Sequence, residues 1–470
     1  MIRAAECEST PTWSGPVAGE AVTTLGAFDL ARHGYLSEEW LLEGTASSRR
    51  ASGELGDDGH WVTEADSTAP YHTRFVVCRP ARPADFNGTV VVEWLNVSGG
   101  GDGSPDWFFL HRHVMREGWA WVGVSAQKAG IDGGGFFDSG LHLKAVAPDR
   151  YGSLSHPGDA FAFDIFTQAG VALRAGTGPF AGFEVDTVLA VGESQSAVFL
   201  VTYINAFDQS AEMYDGFLVH GRGASGATLA GLMFAGGAAH QFTGRQRIRA
   251  DLRVPTITVQ SETDLVLMAG INGRQTDQAR FRWWEIAGAS HFDTYGLIAS
   301  QRDDGTLSAS ELAALLAPVD EIRGMKSGGW INSGPQQHYV LNAALAGLDG
   351  WVRHGIEPPS APWLEGEAGP EPSLARDHLG LARGGIRTPW VDTPVAALSG
   401  QGHPGELLTA LFGSTRPFDS EQLDRLYPGG RHEYLSAFES RLEETIAAGF
   451  ILAADRSEIV ALAAADCPLE

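Results

Sequence analysis

Short runs of apolar, often β-branched residues alternate with amphipathic segments over the first 300 residues of the chain. The runs are bounded by glycine or polar residues, as expected for buried strands, and lie at 89–95, 119–125, 186–193, 216–220, 254–260 and 282–286. Between them, apolar residues recur at helical spacing over 107–116 and 159–174. Strands that alternate with helices pair in parallel, so the pattern predicts an α/β fold with a mostly parallel, doubly wound sheet.

Other stretches flank or interrupt this pattern. Residues 1–24 are polar and mixed, which predicts an N-terminal arm, and two further strands are predicted at 35–46 and 71–78. We expect the core to occupy residues 25–300, with glycine-rich insertions at 127–157 and 223–245 that are candidates to cover a pocket. Beyond residue 300 helical spacing dominates, so residues 301–470 are predicted to form a mainly helical cap or subdomain packed on the core.

The composition narrows the classes of partner. The 470 residues include 33 basic and 58 acidic ones, a formal charge of −25, which argues against nucleic acid or an acidic membrane surface as partner. The cysteines, Cys7, Cys78 and Cys467, lie far apart and indicate neither a zinc site nor a disulfide framework. The N-terminus lacks the pattern of a signal peptide and no apolar run reaches about 18 residues, so we expect a cytoplasmic protein without a membrane partner.

The strand at 186–193 ends in Gly192-Glu193-Ser194-Gln195-Ser196 and passes directly into a helix-forming segment. Gly-x-Ser also occurs elsewhere in the chain, but only here does a strand precede it and a helix follow it. A serine at such a strand-to-helix turn exposes its Oγ beside the N–H groups of the helix, as in a nucleophile elbow. Ser194 is therefore the candidate nucleophile, although a serine here also suits a helix N-cap without chemistry.

A serine hydroxyl needs a base within hydrogen-bond reach and an acid that orients the base. The strand at 282–286 leads to His291, and the strand at 254–260 leads to Glu262 and Asp264. We predict His291 as the base and Asp264 as the acid, with Glu262 as the alternative acid, since elbow hydrolases have the order serine, acid, histidine. Asp264 also suits the cap of a following helix.

The oxyanion that forms when a serine attacks a carbonyl needs two N–H donors. One is expected from Gln195, directly after the nucleophile, and the other from the loop after the strand at 89–95, at Asn96, Val97 or Ser98. The sequence leaves open which N–H of this loop points inward.

Several other residues have competing interpretations. His338 is a reserve base, although a structural role is the favoured interpretation. His111 and His113 lie two apart on a predicted helix, so their side chains diverge and cannot share a metal. We expect both at the surface. Some aromatic residues near the predicted active-site loops are candidates to bind an apolar substrate group, namely Trp94, Trp107, Phe136 and Phe137.

Five motifs together resemble the α/β-hydrolase-domain family of large bacterial serine hydrolases. They are the segments Val92 to Gly100, Tyr151-Gly152 with His156 to Asp159, Gly192 to Ser196, Gly384 to Pro389, and Leu411 to Thr415. The resemblance extends from about residue 25 to the end of the chain. It implies an α/β-hydrolase fold and esterase-like activity, with Ser194 as nucleophile and His291 as base, and it leaves the acid open between Glu262 and Asp264. Ser196 replaces the last glycine of Gly-x-Ser-x-Gly.

These observations predict a serine hydrolase that cleaves a small to medium carboxylic ester through an acyl-enzyme, with no metal or organic cofactor. An acyltransferase with the same triad is the alternative, and a non-catalytic binding protein on a hydrolase fold is a third hypothesis. A histidine base must be neutral, so we expect activity to rise through an apparent pKa near ~6.5.

Overall fold

A mixed sheet of nine strands forms the centre of the fold. The computed structural model describes residues 10–19, 21, 22, 25–135, 139–232, 245–322, 324–403 and 407–470. The strands of the sheet are β1 (Thr12–Ser14), β2 (Tyr35–Ala51), β3 (Thr63–Pro80), β4 (Thr89–Trp94), β5 (Ala120–Val124), β6 (Thr187–Glu193), β7 (Gly216–His220), β8 (Thr256–Ser261) and β9 (Phe281–Ile286). Three two-stranded sheets lie in the C-terminal part: β10 (Glu321–Ile322) with β11 (Met325–Lys326), β12 (Gly366–Glu367) with β13 (Ser373–Leu374), and β14 (Ala396–Ser399) with β15 (Ser414–Pro417).

Helices connect and cover these strands. Those before residue 300 are α1 (Pro105–Arg116), α2 (Lys128–Asp132), α3 (Leu143–Val146), α4 (Pro148–Tyr151), α5 (Ala162–Arg174), α6 (Gln195–Ala206), α7 (Asp208–Ala211), α8 (Glu262–Val266) and α9 (Thr294–Leu297). Those after it are α10 (Ala309–Leu316), α11 (Gln336–His354), α12 (Pro389–Asp392), α13 (Leu407–Ala410), α14 (Ser420–Leu426), α15 (Gly430–Ala447) and α16 (Arg456–Ala465). In the described residues, no helix has both the length and the apolar character needed to cross a membrane.

The strand order is β1-β2-β3-β5-β4-β6-β7-β8-β9. The six strands from β5 to β9 along this order are parallel, whereas β1, β2 and β3 join by antiparallel pairing. Strand β4 is the point at which the order reverses, because the chain continues to β5 on one side and later to β6 on the other. Ligands bind at the carboxyl ends of strands beside such a reversal, so the fold places the loops after β4 and β6 at the favoured position.

Both faces of the sheet are covered by helices. On one face Phe163 and Phe166 of α5 and Phe199 of α6 pack around Trp94. On the other face α1 and α11 cover Val91 and Leu189 in a second buried cluster. The predicted α/β class with a mostly parallel, doubly wound sheet is therefore confirmed.

The antiparallel ribbon of β2 and β3 is longer than the two strands predicted at 35–46 and 71–78. Its outer part is polar and exposed, so it lacks the apolar pattern on which the prediction depended. Cross-strand pairing extends it, with Arg50 Nη2 lying 2.8 Å from Glu64 Oε1.

The C-terminal part is rich in helices, as predicted. Helix α11 lies directly on the sheet through Leu341 and Leu345, while α15 and α16 form a separate buried cluster around Phe438 and Ile459. The domain boundaries proposed at residues 24 and 300 remain predictions.

The prediction that His111 and His113 lie at the surface is wrong. Both side chains are buried, His111 against the segment after β9 and His113 against Trp119. The ring nitrogens of His111 lie 3.0 Å from the carbonyl oxygen of Trp107 and 2.6 Å from that of Asp303. Because they pack inside the protein, neither is available as a surface group.

Candidate active site

Ser194 occupies a sharp turn between β6 and α6, with φ of 59° and ψ of −116°. A positive φ is strained for a residue with a Cβ, and such strain is typical of functional turns. The turn closes tightly, because a Cβ added at Gly192 would lie 3.1 Å from the Cβ of Ser196. The Ser194 N–H donates to the carbonyl oxygen of His220 at 2.9 Å, which fixes the turn against β7. The side chain is half-buried.

The structure brings Ser194, His291 and Asp264 together. The Oγ of Ser194 lies 2.9 Å from Nε2 of His291, and Nδ1 of His291 lies 2.6 Å from Oδ1 of Asp264. The loop after β9 is held in place because the His291 N–H donates to Thr263 Oγ1 at 3.1 Å. Since each hydrogen bond uses a different ring nitrogen, the histidine connects the hydroxyl to the carboxylate.

Asp264 also caps a helix, so its two proposed interpretations are compatible. Its Oδ2 accepts the Ser261 N–H at 2.6 Å and its own N–H donates to Ser261 Oγ at 3.3 Å, a capping box at the start of α8. This arrangement fixes the carboxylate and leaves Oδ1 for His291. A carboxylate locked in this way orients the imidazole ring.

Glu262 has a different set of partners. Its Oε1 accepts the Gly288 N–H at 2.7 Å, and its Oε2 accepts the Gly400 N–H at 3.0 Å and Arg376 Nη2 at 2.9 Å. These contacts tie α8 to the C-terminal part of the chain. Of the two candidate acids, Asp264 is thus the one in contact with His291.

A second carboxylate faces the same imidazole. Oε1 of Glu193 lies 2.9 Å from Nε2 of His291, on the nitrogen that also contacts Ser194. Burial alone would lower the pKa of His291, but the nearby carboxylates of Glu193 and Asp264, the latter hydrogen-bonded to Nδ1, raise it to about 10. This differs from the apparent pKa near ~6.5 that the sequence predicts for an ordinary histidine base.

Further titratable side chains lie behind Glu193. Nδ1 of His220 lies 3.0 Å from Oδ1 of Asp106, and Glu93 accepts the N–H groups of Asp106 and Trp107. Burial and the charge of Glu193 raise the pKa of Asp106 well above its usual range. Burial lowers the pKa of His220 to about 4. The site therefore has a buried acidic wall on the side of β4, β6 and β7.

The loop after β4 contains the candidate oxyanion donors. The Asn96 N–H donates to the carbonyl oxygen of Gly103 at 2.9 Å, and the Ser98 N–H donates to Asn96 Oδ1 at 2.8 Å. The Val97 N–H donates to the side-chain Oε1 of Gln195 over a longer distance of 3.3 Å. The Gln195 N–H lies in the first turn of α6, where N–H groups have no partner within the helix.

A chain of amides leads from this loop to a neighbouring cavity. Gln195 Nε2 donates to Gln127 Oε1 at 2.5 Å, and Gln127 Nε2 donates to Asp159 Oδ2 at 3.1 Å. The Asp159 carboxylate can only accept, so it sets the orientation of both amides. The Gln195 oxygen is thereby directed at the Val97 N–H.

The cavity has a volume of about 300 Å³. Both predicted insertions contribute to its wall, through Ala129 and Gly135 from one and Gly231 and Leu232 from the other. The wall is partly polar and partly apolar, and it also includes Val97, Gln127, Asp159, Gln195 and Phe199.

Two of the four aromatic residues expected near the site have other positions. Trp94 and Trp107 are fully buried in the two cores of the sheet and do not line the cavity. Phe136 and Phe137 lie outside the described residues. The reserve base His338 is buried against Tyr295, at 4.0 Å between ring centroids, with Nδ1 2.6 Å from the carbonyl oxygen of Phe109.

The sequence interpretation missed Glu193, Asp106 and His220. A signal was present, because Glu93, Glu193 and His220 each lie at or near the carboxyl end of an otherwise apolar strand. Titratable residues at such positions in adjacent parallel strands converge at one edge of the sheet.

The chain matches the family model described as alpha/beta hydrolase domain over residues 8–461. No curated protein sequence matches the chain. Similar solved structures include a thermostable esterase from Pseudomonas putida, with 13% identity and a TM-score of 0.30 over 55% of this chain and 75% of that one. A serine hydrolase without lid from Xanthomonas campestris has 12% identity and a TM-score of 0.28 over 51% of this chain and 83% of that one. An esterase from the fungus Rhizomucor miehei has 10% identity and a TM-score of 0.26 over 53% of this chain and 75% of that one.

The family model covers most of the chain. The mostly parallel sheet with helices on both faces agrees with it, and the α/β-hydrolase fold expected from the motifs is confirmed. The chain belongs to the alpha/beta hydrolase domain family.

Proposed function

We propose that the protein is a serine hydrolase that cleaves a carboxylic ester through an acyl-enzyme intermediate. The observation that carries the proposal is the hydrogen-bond chain from Ser194 Oγ through the His291 imidazole to Asp264, with the serine at a strained turn. A hydroxyl is a weak nucleophile, and a hydrogen-bonded base with an orienting acid is the arrangement that activates it.

In this mechanism Ser194 Oγ attacks the ester carbonyl carbon as its proton passes to His291 Nε2. The carboxylate of Asp264 holds Nδ1–H and stabilises the imidazolium that forms. The imidazolium then gives its proton to the alkoxide leaving group as the carbon–oxygen bond breaks. Water, deprotonated by the same imidazole, hydrolyses the acyl-serine and restores the hydroxyl.

The oxyanion of each tetrahedral intermediate is proposed to bind the N–H groups of Gln195 and Val97. The N–H groups of Asn96 and Ser98 are engaged within their own loop, whereas the bond of Val97 to the Gln195 side chain is long and can be replaced by an oxyanion. Each donor is expected to lower the barrier by about 3 kcal/mol.

The cavity beside Gln195 is proposed to hold one side of the ester. Its volume of about 300 Å³ matches a small to medium organic group. Phe199 and Leu232 offer apolar contact, while Gln127 and Asp159 offer polar contact at the same wall. These features support an ester with an apolar part and a nearby polar group.

Hydrolysis of p-nitrophenyl esters by the wild-type protein and by Ser194→Ala tests the proposal. We expect release of p-nitrophenolate by the wild type and only the background rate with the variant. Product analysis with an added alcohol distinguishes a hydrolase from an acyltransferase, since only the latter yields mainly the new ester. Full activity in Ser194→Ala would exclude Ser194 as the nucleophile.

A further inference from the structure

Nε2 of His291 faces two oxygen atoms at the same distance. Ser194 Oγ and Glu193 Oε1 each lie 2.9 Å from it, and the hydrogen-bond geometry at Nε2 favours the serine. Oε1 of Glu193 is buried and forms no hydrogen bond in the described structure. A charged oxygen without a hydrogen bond, so close to the nitrogen that must take up a proton, acts directly on the stability of that proton.

The position of Glu193 is fixed by its strand. It is the last residue of β6, is paired with His220 of β7 in the ladder, and is buried. The side-chain amide of Asn96 donates to its carbonyl oxygen at 3.1 Å and lies 3.4 Å from its Oε2. The carboxylate is therefore held against the imidazole.

The charged and titratable groups around the imidazole come from five elements. Asp264 of α8 contacts Nδ1 and Glu193 of β6 contacts Nε2. Behind Glu193 lie His220 of β7, Asp106 of α1 and, next to Asp106, Glu93 of β4. Burial keeps His220 neutral near pH 7, since its pKa is lowered to about 4. In the described residues, the pair with His291 is the only ion pair of Glu193.

We propose that Glu193 is a positioning residue that acts as a second carboxylate partner of His291 and, together with Asp264, sets the proton affinity of the base. This inference rests on the proposed function, because the proton concerned is the one that passes from Ser194 to Nε2. As the Oγ–H bond breaks and the Nε2–H bond forms, the new positive charge lies between two carboxylates. The same charges hold a proton on the free imidazole, so the resting protein must lose it before Ser194 can be activated.

Replacement of Glu193 by glutamine removes the charge and keeps the shape. We expect the acid limb of the pH profile of kcat/KM to move down by about 1 to 3 pH units in Glu193→Gln. A base of lower pKa is weaker, so the plateau value of kcat is expected to fall in Glu193→Gln. The fall should be less than about tenfold for each pH unit by which the acid limb moves. A merely structural role would lower activity without moving the limb.

Glu262→Gln is the matched control. It removes another buried carboxylate from the same region, but one that contacts Gly288, Gly400 and Arg376. The acid limb of the kcat/KM profile of Glu262→Gln should stay at the wild-type pH. Glu193→Asp, which retains a charge at a greater distance from Nε2, should shift the limb less than Glu193→Gln.

Nitrogen-15 NMR of the histidine side chains provides a readout that needs no substrate. The resonance of His291 is assigned by its loss in His291→Ala. In the wild type this imidazole should keep its second proton above pH 8, and in Glu193→Gln it should lose that proton at lower pH. An ordinary titration near ~6.5 in the wild type, or the same titration in both proteins, would overturn the inference.

The two proposals fail in different ways. If Ser194→Ala abolishes ester hydrolysis but Glu193→Gln leaves the pH limb and the His291 titration unchanged, the role of Glu193 is excluded and the proposed function stands. If the wild-type protein hydrolyses no ester and reacts with no serine-directed probe, the proposed function fails and the role assigned to Glu193 in it fails as well.

Discussion

The Oδ1 atom of Asp264 lies 2.6 Å from Nδ1 of His291, although Glu262, two residues earlier in the same helix, is also buried and acidic. Residues two apart on a helix point in divergent directions, so only one of the two carboxylates reaches the imidazole. The other engages Gly288, Gly400 and Arg376.

This arrangement predicts opposite effects for two similar variants. Asp264→Asn should lower kcat by about 10⁴-fold, because the amide no longer holds the imidazole in the required tautomer. Glu262→Gln should retain activity but lose about 1–3 kcal/mol of folding stability, because buried partners lose a charged acceptor. Steady-state kinetics measures the effect of each variant on kcat, and thermal unfolding measures its effect on stability. A severe loss of kcat in Glu262→Gln but not in Asp264→Asn would mean that Glu262 is the acid.

The pH dependence of the wild-type enzyme should reflect the two carboxylates around His291. The base acts in its neutral form, and the pKa of His291 is raised to about 10, so kcat/KM should be low near neutral pH and rise toward alkaline pH. Ester hydrolysis is measured from pH 5 to 10.5, with the rate of Ser194→Ala subtracted as background. If kcat/KM has already reached its plateau at pH 7, the predicted proton affinity of His291 is contradicted.

Gly221 provides a test of the geometry of the base. Its φ is +64°, and an added Cβ would lie 3.3 Å from Nδ1 and Cε1 of His291. Gly221→Ala should therefore strain the backbone by about 1–2 kcal/mol and also displace the imidazole. We expect kcat to fall by about tenfold or more, because small displacements of catalytic groups are costly.

Gly355→Ala is the control for backbone strain alone. Gly355 has a φ of +69° at the end of α11, with open space where a Cβ would lie. It should lose similar stability in thermal unfolding and keep its kcat. Equal losses of kcat in Gly221→Ala and Gly355→Ala would show that the contact of the added Cβ with His291 does not affect catalysis.

The Gln195 side chain is expected to compete with the substrate. Its Oε1 accepts the Val97 N–H at 3.3 Å, and a substrate oxygen must replace it there. Gln195→Ala retains both backbone donors and removes the competitor, so kcat/KM should rise by up to about fivefold, as expected from one hydrogen bond worth about 1 kcal/mol. A loss of two orders of magnitude would mean that the side chain itself takes part in the reaction.

Part of the architecture follows from local patterns in the sequence. The parallel strands could be located because buried strands are short, apolar and bounded by turn residues, and the carboxyl ends of parallel strands meet at one edge. The same principle predicts that Ser194 and His291 lie close together.

Other features depend on contacts between distant segments. The separate partners of Glu262 come from residues 376 and 400, more than 100 positions along the chain, so no local pattern distinguishes it from Asp264. The role inferred for Glu193 depends on how β6 lies beside β7 and on the loop that carries His291. The polar half of the ribbon of β2 and β3 escapes prediction because pairing, not burial, maintains it.

An activated nucleophile at Ser194 should react covalently with reagents directed at catalytic serines. Incubation with a fluorophosphonate, followed by intact-mass measurement and peptide mapping, tests it most directly because the reagent bonds covalently to an activated serine. We expect one adduct per chain, located on Ser194, and none in Ser194→Ala. An unmodified wild-type protein, or an adduct on a different residue, would contradict it.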